Sequence, residues 1–340
     1  MIRRSDRSAL VRALRTDFFQ SVPELARSGQ LAEQAIRPLI CSLQDDGLRI
    51  DQNAAGDFQL MDEVRPIDSG RLRQCLTARG FECSERVEVL DTVDSTSNWL
   101  HRQHEAGERI HGSACITEYQ SAGRGRRGRQ WRGSPYQHLM FSLGWEFQQP
   151  IEALSGLSLS LGVAIADQIK QTVDVQASLK WPNDLWCNNR KLGGILVELS
   201  STSESGIRSI IGVGLNIREP HLSNLVADQG VTDLASEAQS AIPPREVIIA
   251  DVLMAVVNRL TTFPLRGFIS DRQRFNDLDV FKNRPVSAMS SVSEIFGTGL
   301  GADERGRYCL RRPDGSVAHI DAAELSFSLR DNHAQRATSP

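Results

Sequence analysis

The chain lacks an excess of charge, a cysteine cluster and an unbroken apolar run of membrane-spanning length. Across 340 residues Lys+Arg number 39 and Asp+Glu 42, a formal net charge of −3. A chain so balanced does not attract polyanions by bulk charge, so a phosphate site must come from a local cluster. The six cysteines (Cys41, Cys75, Cys83, Cys115, Cys187, Cys309) include no CxxC pair. That disfavours a disulfide framework or a zinc site and leads us to expect free thiols in a reducing cytoplasm. The opening MIRRSDRSALVRALRTDFF is basic but has no apolar h-region, so no secretory signal is expected. No apolar run is read as approaching the ~20 residues of a membrane span, so no membrane partner is expected. Repeats and low-complexity tracts are also missing. At 40% hydrophobic residues the chain can still build two or three domains with sizeable cores.

Residues 1–65 read as a small helical unit. SALVRALR is amphipathic, with Leu10, Val11 and Leu14 at helical spacing. In SVPELARSG, Ser21 can cap, Pro23 suits the first turn and Gly29 can end the helix. A further helix carries Ile36, Leu39, Ile40 and Leu43 on one face, and turn chemistry in DQNAAGDFQL separates two short strands. Helix, turn, helix, then hairpin is the winged helix-turn-helix order, though a packing module with no DNA role has the same pattern. Residues 66–86 read as a connector with a helix in SGRLRQCLTARG. From Val87 to about residue 275 the pattern is α/β: strands in HGSACITEYQ, HLMFSLGWEF, ASLKW, DLWCN, GGILVELS and IRSIIGVGLNI. IEALSGLSLSLGVAIADQIKQT and REVIIADVLMAVVNRLTTF read as helices. Residues 276–330 suggest a small β-barrel with turns at DERGR and RPDGS. The tail 331–340 is expected to be disordered.

The segment QSAGRGRRGRQW (120–131) contains Gly123, Gly125 and Gly128 at the GxGxxG spacing of a dinucleotide loop. That motif needs a helix immediately after it, and Gly133 and Pro135 make RQWRGSPYQ a poor helix start. Arg124, Arg126, Arg127 and Arg129 would also crowd a pyrophosphate. So many guanidiniums cannot be buried unpaired. The loop is either a solvated basic loop or one that an anion orders, since guanidiniums make directional bonds to phosphate and carboxylate. Trp131 adds an apolar face for a ring. In DTVDSTSNWL the hydroxyls of Ser95 and Thr96 can be helix N-caps or ligand contacts. LKWPNDLW places Lys180, Asn183 and Asp184 at a strand end. Lys191 precedes a Gly-Gly and a strand, and Asn216 ends another strand. Singly these are surface lysines, turns and caps; their joint order is harder to dismiss.

Together DSTSN (94–98), EYQSAGRGRRGRQW (118–131), KWPNDL (180–185), RKLGGILVE (190–198), GVGLN (212–216) and NRPV (283–286) resemble the biotin protein ligase family, in its bifunctional ligase/repressor class. The resemblance covers nearly the whole chain. It implies an α+β protein: a winged helix-turn-helix, a central mixed-sheet domain of the class II synthetase-like biotin/lipoate ligase type, and an SH3-like C-terminal barrel. It implies that biotin and ATP give biotinyl-5'-AMP and pyrophosphate, with Mg2+, and that biotin then passes to a lysine of a biotin carboxyl carrier protein. It implies Lys191 and Arg126 as catalytic residues. Ser95, Thr96, Ser97, Gln120, Gly123, Arg124, Gly125, Arg126, Lys191 and Gly194 would bind biotin. Arg126, Arg129, Trp131, Asn183, Asp184, Lys191 and Asn216 would bind ATP or the adenylate, with no metal ligand assigned; Asp184 is a candidate base for the second step. Operator DNA and a second copy of the chain are the further partners implied, with Arg27 and Arg37 as DNA contacts.

This sequence departs from the family pattern in places. RGSPYQHLMF carries an extra residue before Ser-Pro, Ser97 stands where asparagine is common, and Arg330 lies two residues late for a nucleotide contact. Ala32 and Glu33 open the DNA-reading helix, and Pro38 inside it is expected to kink or shorten it, at ~3 kcal/mol.

Overall fold

The computed structural model describes residues 4–201, 206–218, 230–289, 294–321 and 324–327. The N-terminal unit is α1 (Arg4–Ala13), α2 (Val22–Gly29) and α3 (Glu33–Asp45), then an antiparallel hairpin of β1 (Ile50–Gln52) and β2 (Phe58–Leu60). At the start of α2 the Ser21 amide donates to the Glu24 carboxylate at 2.8 Å, satisfying a donor the helix cannot. The left-handed residue that ends α2 is Gln30, not Gly29. Nor does Pro38 end α3, which runs on through Asp45. Pro38 lies on the exposed face, while Ile36, Leu39, Ile40 and Leu43 are buried with Leu10, Leu25 and Phe58. Burying four aliphatic side chains, each worth about 1.5–3 kcal/mol, outweighs the missing hydrogen bond.

The connector is part of the central core. Its helix α4 (Ser69–Ala78) starts on the Asp68 carboxylate and buries Leu72 and Leu76 in the main cluster. The central elements follow as β3 (Val87–Leu90), α5 (Thr96–Glu105), β4 (Ala114–Thr117), β5 (His138–Phe147) and α6 (Leu157–Val173). Then come β6 (Ser178–Lys180), β7 (Asp184–Cys187), β8 (Arg190–Ser201), β9 (Ile207–Asn216), α7 (Leu234–Glu237), α8 (Arg245–Arg266) and α9 (Arg272–Leu278). The sheet order is β3-β4-β5-β9-β8-β7-β6, and only the β3–β4 pair is parallel. That mixed sheet excludes a doubly wound dinucleotide fold. Strand alternation divides the core. Ile116, Leu143 and Ile211 face the cluster shared with α4, α6 and α8, while Cys115 and Ile210 join Leu100 of α5 in a second cluster.

Two expectations about helices are corrected. IEALSGLSLSLG is not one helix: a 3-10 turn over Ile151–Leu154 stops before Gly156, whose φ of 77° suits glycine. A Cβ there would lie 2.6 Å from Phe268. And α8, at 22 residues, is long and apolar enough to cross a bilayer by length and composition. Here it packs on α4, α6 and β5 instead, with Arg259 ion-paired to Asp271 at 2.6 Å.

The C-terminal unit is a five-stranded antiparallel sheet, ordered β13-β12-β11-β10-β14. Its strands are β10 (Pro285–Met289), β11 (Glu294–Ala302), β12 (Tyr308–Arg311), β13 (Val317–Ile320) and β14 (Glu324–Phe327). Arg330 and the tail 331–340 lie outside the described residues. The unit is joined to the cleft-bearing domain by Trp181 Nε1, which donates to the Gly306 carbonyl at 2.9 Å, and by Tyr308 Oη, which donates to Asp279 Oδ2 at 2.7 Å. Burial pushes the Asp279 carboxyl up to about 6, against the Tyr308 and Phe281 hydrogen bonds. A raised folded-state value means stability is fully present below about pH 4 and is lost as pH rises to about 6, by on the order of 3 kcal/mol. Thermal melts of wild type and Asp279→Asn between pH 4 and 7 check this: the substitution should remove that part of the pH dependence.

Candidate active site

One cleft gathers most of the residues singled out in the sequence. Its floor is a set of hydroxyls. Ser95 occupies the N-cap position of α5 but makes no capping bond, so its side chain is left to the cleft. Thr96 Oγ1 and Ser97 Oγ meet Ser142 Oγ at 2.7 and 3.0 Å, and Gln120 Oε1 accepts from the Thr96 amide at 2.8 Å. Ser142 was missed by sequence reasoning. Its signal is a hydroxyl between Phe141 and Leu143 in a largely apolar strand, and only the α5–β5 packing shows that it faces Thr96. Gly212 opens the space above: a Cβ there would touch both Ser97 and Ser142.

The arginine-glycine segment is a compact hairpin loop. The Gly125 amide donates to the Arg129 carbonyl at 2.8 Å and the Trp131 amide to the Gly123 carbonyl at 2.9 Å. Arg127 at φ 56° and Gly128 at φ 73° turn the tip. Gly123 is buried beneath the loop against the Trp131 backbone rather than lining the cleft. Arg124 crosses to β8, binding Glu198 Oε1 at 2.5 Å and Asn98 Oδ1 at 3.1 Å. Arg126 donates to Asn183 Oδ1 at 3.2 Å. Burial, then the neighbouring Arg127, push Arg126 below its ordinary value, so its charge is disfavoured in the bare cleft. An anion placed there would relieve that cost. The Trp131 ring lies against Gly214 of β9, and its Nε1 is buried without a partner among the described residues.

On the opposite wall, Lys191 Nζ pairs with Asp184 Oδ1 at 2.9 Å, and Gly194, opposite Asp184 in register, leaves room for both. Arg124, Arg126, Arg127, Arg129, Lys180 and Lys191 line the cleft, with Asp184 beside Lys191 and Glu198 paired to Arg124. The arrangement therefore suits a multiply charged anion beside an apolar and hydroxylic recess. Asn216 is not brought in: it is buried at the end of β9, and its Nδ2 donates to the Thr232 carbonyl at 2.9 Å.

The segments that line the cleft are rooted on the N-terminal side. Asp91, four residues before Ser95, accepts from the Ser8 amide of α1 at 3.2 Å and from its hydroxyl. Glu118, two residues before Gln120, accepts from the Ile67 amide and pairs with Arg245 at 2.8 Å. Tyr136, five residues after Trp131, is buried in the core of the N-terminal unit. The insertion before Ser-Pro thus falls in a segment anchored outside the cleft, which explains how its core survives the departure.

Residues 89–216 match the model of the biotin/lipoate A/B protein ligase family. A bifunctional ligase/repressor BirA of Salmonella typhimurium is 32% identical over 318 residues, 94% of this chain and 96% of that protein. The chain belongs to this family of ligases. A biotin–[acetyl-CoA-carboxylase] ligase of Mycobacterium tuberculosis is 28% identical over 255 residues, covering 73% of this chain and 92% of its own. In fold, the biotin protein ligase of Aquifex aeolicus, solved with biotin and ATP, superposes with a TM-score of 0.60 at 24% identity, covering 71% of this chain and 99% of that one. The Salmonella alignment, spanning 94% of this chain, takes in most of the N-terminal unit as well.

Proposed function

We infer that the protein is an ATP-dependent biotin protein ligase. The observation that carries this reading is the cleft in which Lys191 and the arginine loop converge beside the Thr96–Ser97–Ser142 recess. A biotin carboxylate is ionised at neutral pH and needs no base to attack the α-phosphorus of ATP. The obstacle is the approach of two anions, which Lys191 and Arg126 lessen by holding positive charge there. The carboxylate oxygen bonds to phosphorus, pyrophosphate leaves, and biotinyl-5'-AMP remains. A carrier lysine's amine then attacks the acyl carbon and AMP leaves, with Asp184 the carboxylate at hand for its proton. The recess with Gln120 and Ser95 supplies polar partners for a ureido head, and Trp131 offers a stacking face for adenine. Magnesium suits the donor set, which is one carboxylate, Asp184, with Asn183 beside it and the remaining ligands from phosphate and water. Bound there, it would neutralise triphosphate charge.

Incubation with biotin, ATP, magnesium and a biotin carboxyl carrier domain should give biotinylated product; its absence would sink the reading. Gly214→Ala gives a narrower test. Its Cβ would lie 2.6 Å from the Trp131 ring, which must move. Losing an aromatic stacking face costs ~1–3 kcal/mol of base binding, so the KM for ATP should rise roughly tenfold. An unchanged KM would remove Trp131 from the nucleotide site.

We further propose that the N-terminal unit is a winged helix-turn-helix, the C-terminal sheet an SH3-like barrel, and the chain a biotin-dependent repressor that dimerises on operator DNA. The alignment with bifunctional relatives over 94% of the chain supports this. The surface of α3 is a poor match: Glu33 and Asp45 are exposed, and Arg37 lies over the Phe58 ring at 5.3 Å. Anisotropy titration of a biotin-operon promoter fragment, with and without biotin and ATP, decides it. Specific binding weakened by Arg27→Ala or Arg37→Ala supports the repressor; none at moderate salt rejects it.

A further inference from the structure

The C-terminal sheet carries a second cluster of chemical groups, remote in sequence from the cleft motifs. Cys309 on β12 and His319 on β13 are direct cross-strand partners. Asp303, in the turn between β11 and β12, reaches the same point. His319 Nδ1 lies 3.5 Å from Cys309 Sγ and 3.1 Å from Asp303 Oδ2, and the three ligand atoms are within 4.8 Å of one another.

As a hydrogen-bond network this arrangement makes at most one of its two contacts well. A single ring nitrogen carries at most one hydrogen, so Nδ1 can donate to the carboxylate or accept from the thiol, not both. Nor is it a relay of the thiol-imidazole-carboxylate kind, which would use both ring nitrogens. The two spacings at Nδ1 instead approach the edges of a metal tetrahedron. With Zn–S about 2.3 Å and Zn–N and Zn–O about 2.0–2.1 Å, tetrahedral angles place S and N about 3.6 Å apart and N and O about 3.4 Å apart.

We propose that Asp303, Cys309 and His319 form a binding site for a thiophilic divalent cation such as Zn2+. Binding takes the Nδ1 lone pair and leaves the ring hydrogen on Nε2. It converts the Cys309 thiol to a thiolate, releasing one proton to solvent. Arg307 holds Asp303 Oδ2 through Nε at 2.8 Å and orients that carboxylate, while its Oδ1 accepts the Arg305 and Arg307 amides at 3.0 and 2.9 Å. The carboxylate is thus fixed before a cation arrives, with Arg307 opposing the cation by its own charge. Three protein ligands leave a fourth position for water or an external donor, and the site pins β13, an edge strand, to β12. Cysteine spacing along the chain disfavours such a site; cross-strand pairing supplies it.

The test uses the full chain freed of metal by chelator. Isothermal titration with Zn2+ should give one site that disappears in Cys309→Ser and in His319→Ala. Co2+ should give a thiolate-to-cobalt charge-transfer band that Cys309→Ser removes. Zn2+ should raise the melting temperature of wild type but not of Cys309→Ser, whose melt in chelator should equal that of wild type. A wild type with no such band, or a stoichiometric site that persists in Cys309→Ser, overturns the proposal.

Discussion

Lys191→Ala is expected to lower the rate of pyrophosphate release from biotin and ATP by about 10²–10³, the usual cost of removing one preorganised group aimed at developing charge. The loss should fall on kcat more than on the KM for biotin, because the cation acts most strongly as the two anions close. The fold should survive. The Lys191–Asp184 pair is partly exposed, at 35% and 20% for the two side chains, and such pairs contribute little net stability. Lys191→Arg keeps the charge but not the point geometry and should recover only part of the rate. Stopped assays of pyrophosphate, with melting curves alongside, check all three statements. Near-normal adenylation in Lys191→Ala would show that the cleft's other cations suffice.

Arg245→Met should destabilise the molecule by about 3–5 kcal/mol, the cost of leaving a buried charge unpaired. Glu118 is 2% exposed, and Arg245 also donates to the carbonyls of Arg65 at 2.7 Å and His138 at 3.1 Å. Burial pushes the Glu118 carboxyl up, and Arg245 is the largest influence opposing it. Without the arginine the group protonates more readily, so the deficit should shrink as pH falls. Denaturant unfolding at pH 5 and pH 8 measures both effects. Adding Glu118→Gln should restore much of the stability, since the uncompensated charge is then gone. Because Glu118 roots Gln120, Arg245→Met should also raise the KM for biotin. A loss below 1 kcal/mol would place the anchor of that strand elsewhere.

Short-range chemistry made much of this molecule legible in its sequence. The Ser21 cap, the aliphatic face of α3, the ten-residue strand at His138–Phe147 and the clustered arginines follow from local periodicity and residue type. What local reasoning misjudged depended on neighbours distant in the chain. Pro38 predicts a kinked or shortened helix, but the buried face opposite it carries α3 on through Asp45. The run after Ile151 was read as one helix, but Gly156 breaks it where Phe268 leaves no room for a side chain.

By itself the sequence determined the cationic loop, the lysine and carboxylate at strand ends, and through their joint order the kind of cleft they form. Only the tertiary structure decided which groups face one another. It placed Ser142 under Thr96, turned Asn216 away to hold the Thr232 loop, tied the cleft's roots to α1 and Arg245, and set Cys309 against His319. The physical reason is the range of the forces involved. Helical spacing and capping act within a few residues, but strand register and buried ion pairs join residues far apart in the chain, and their partners are known only once the core has closed.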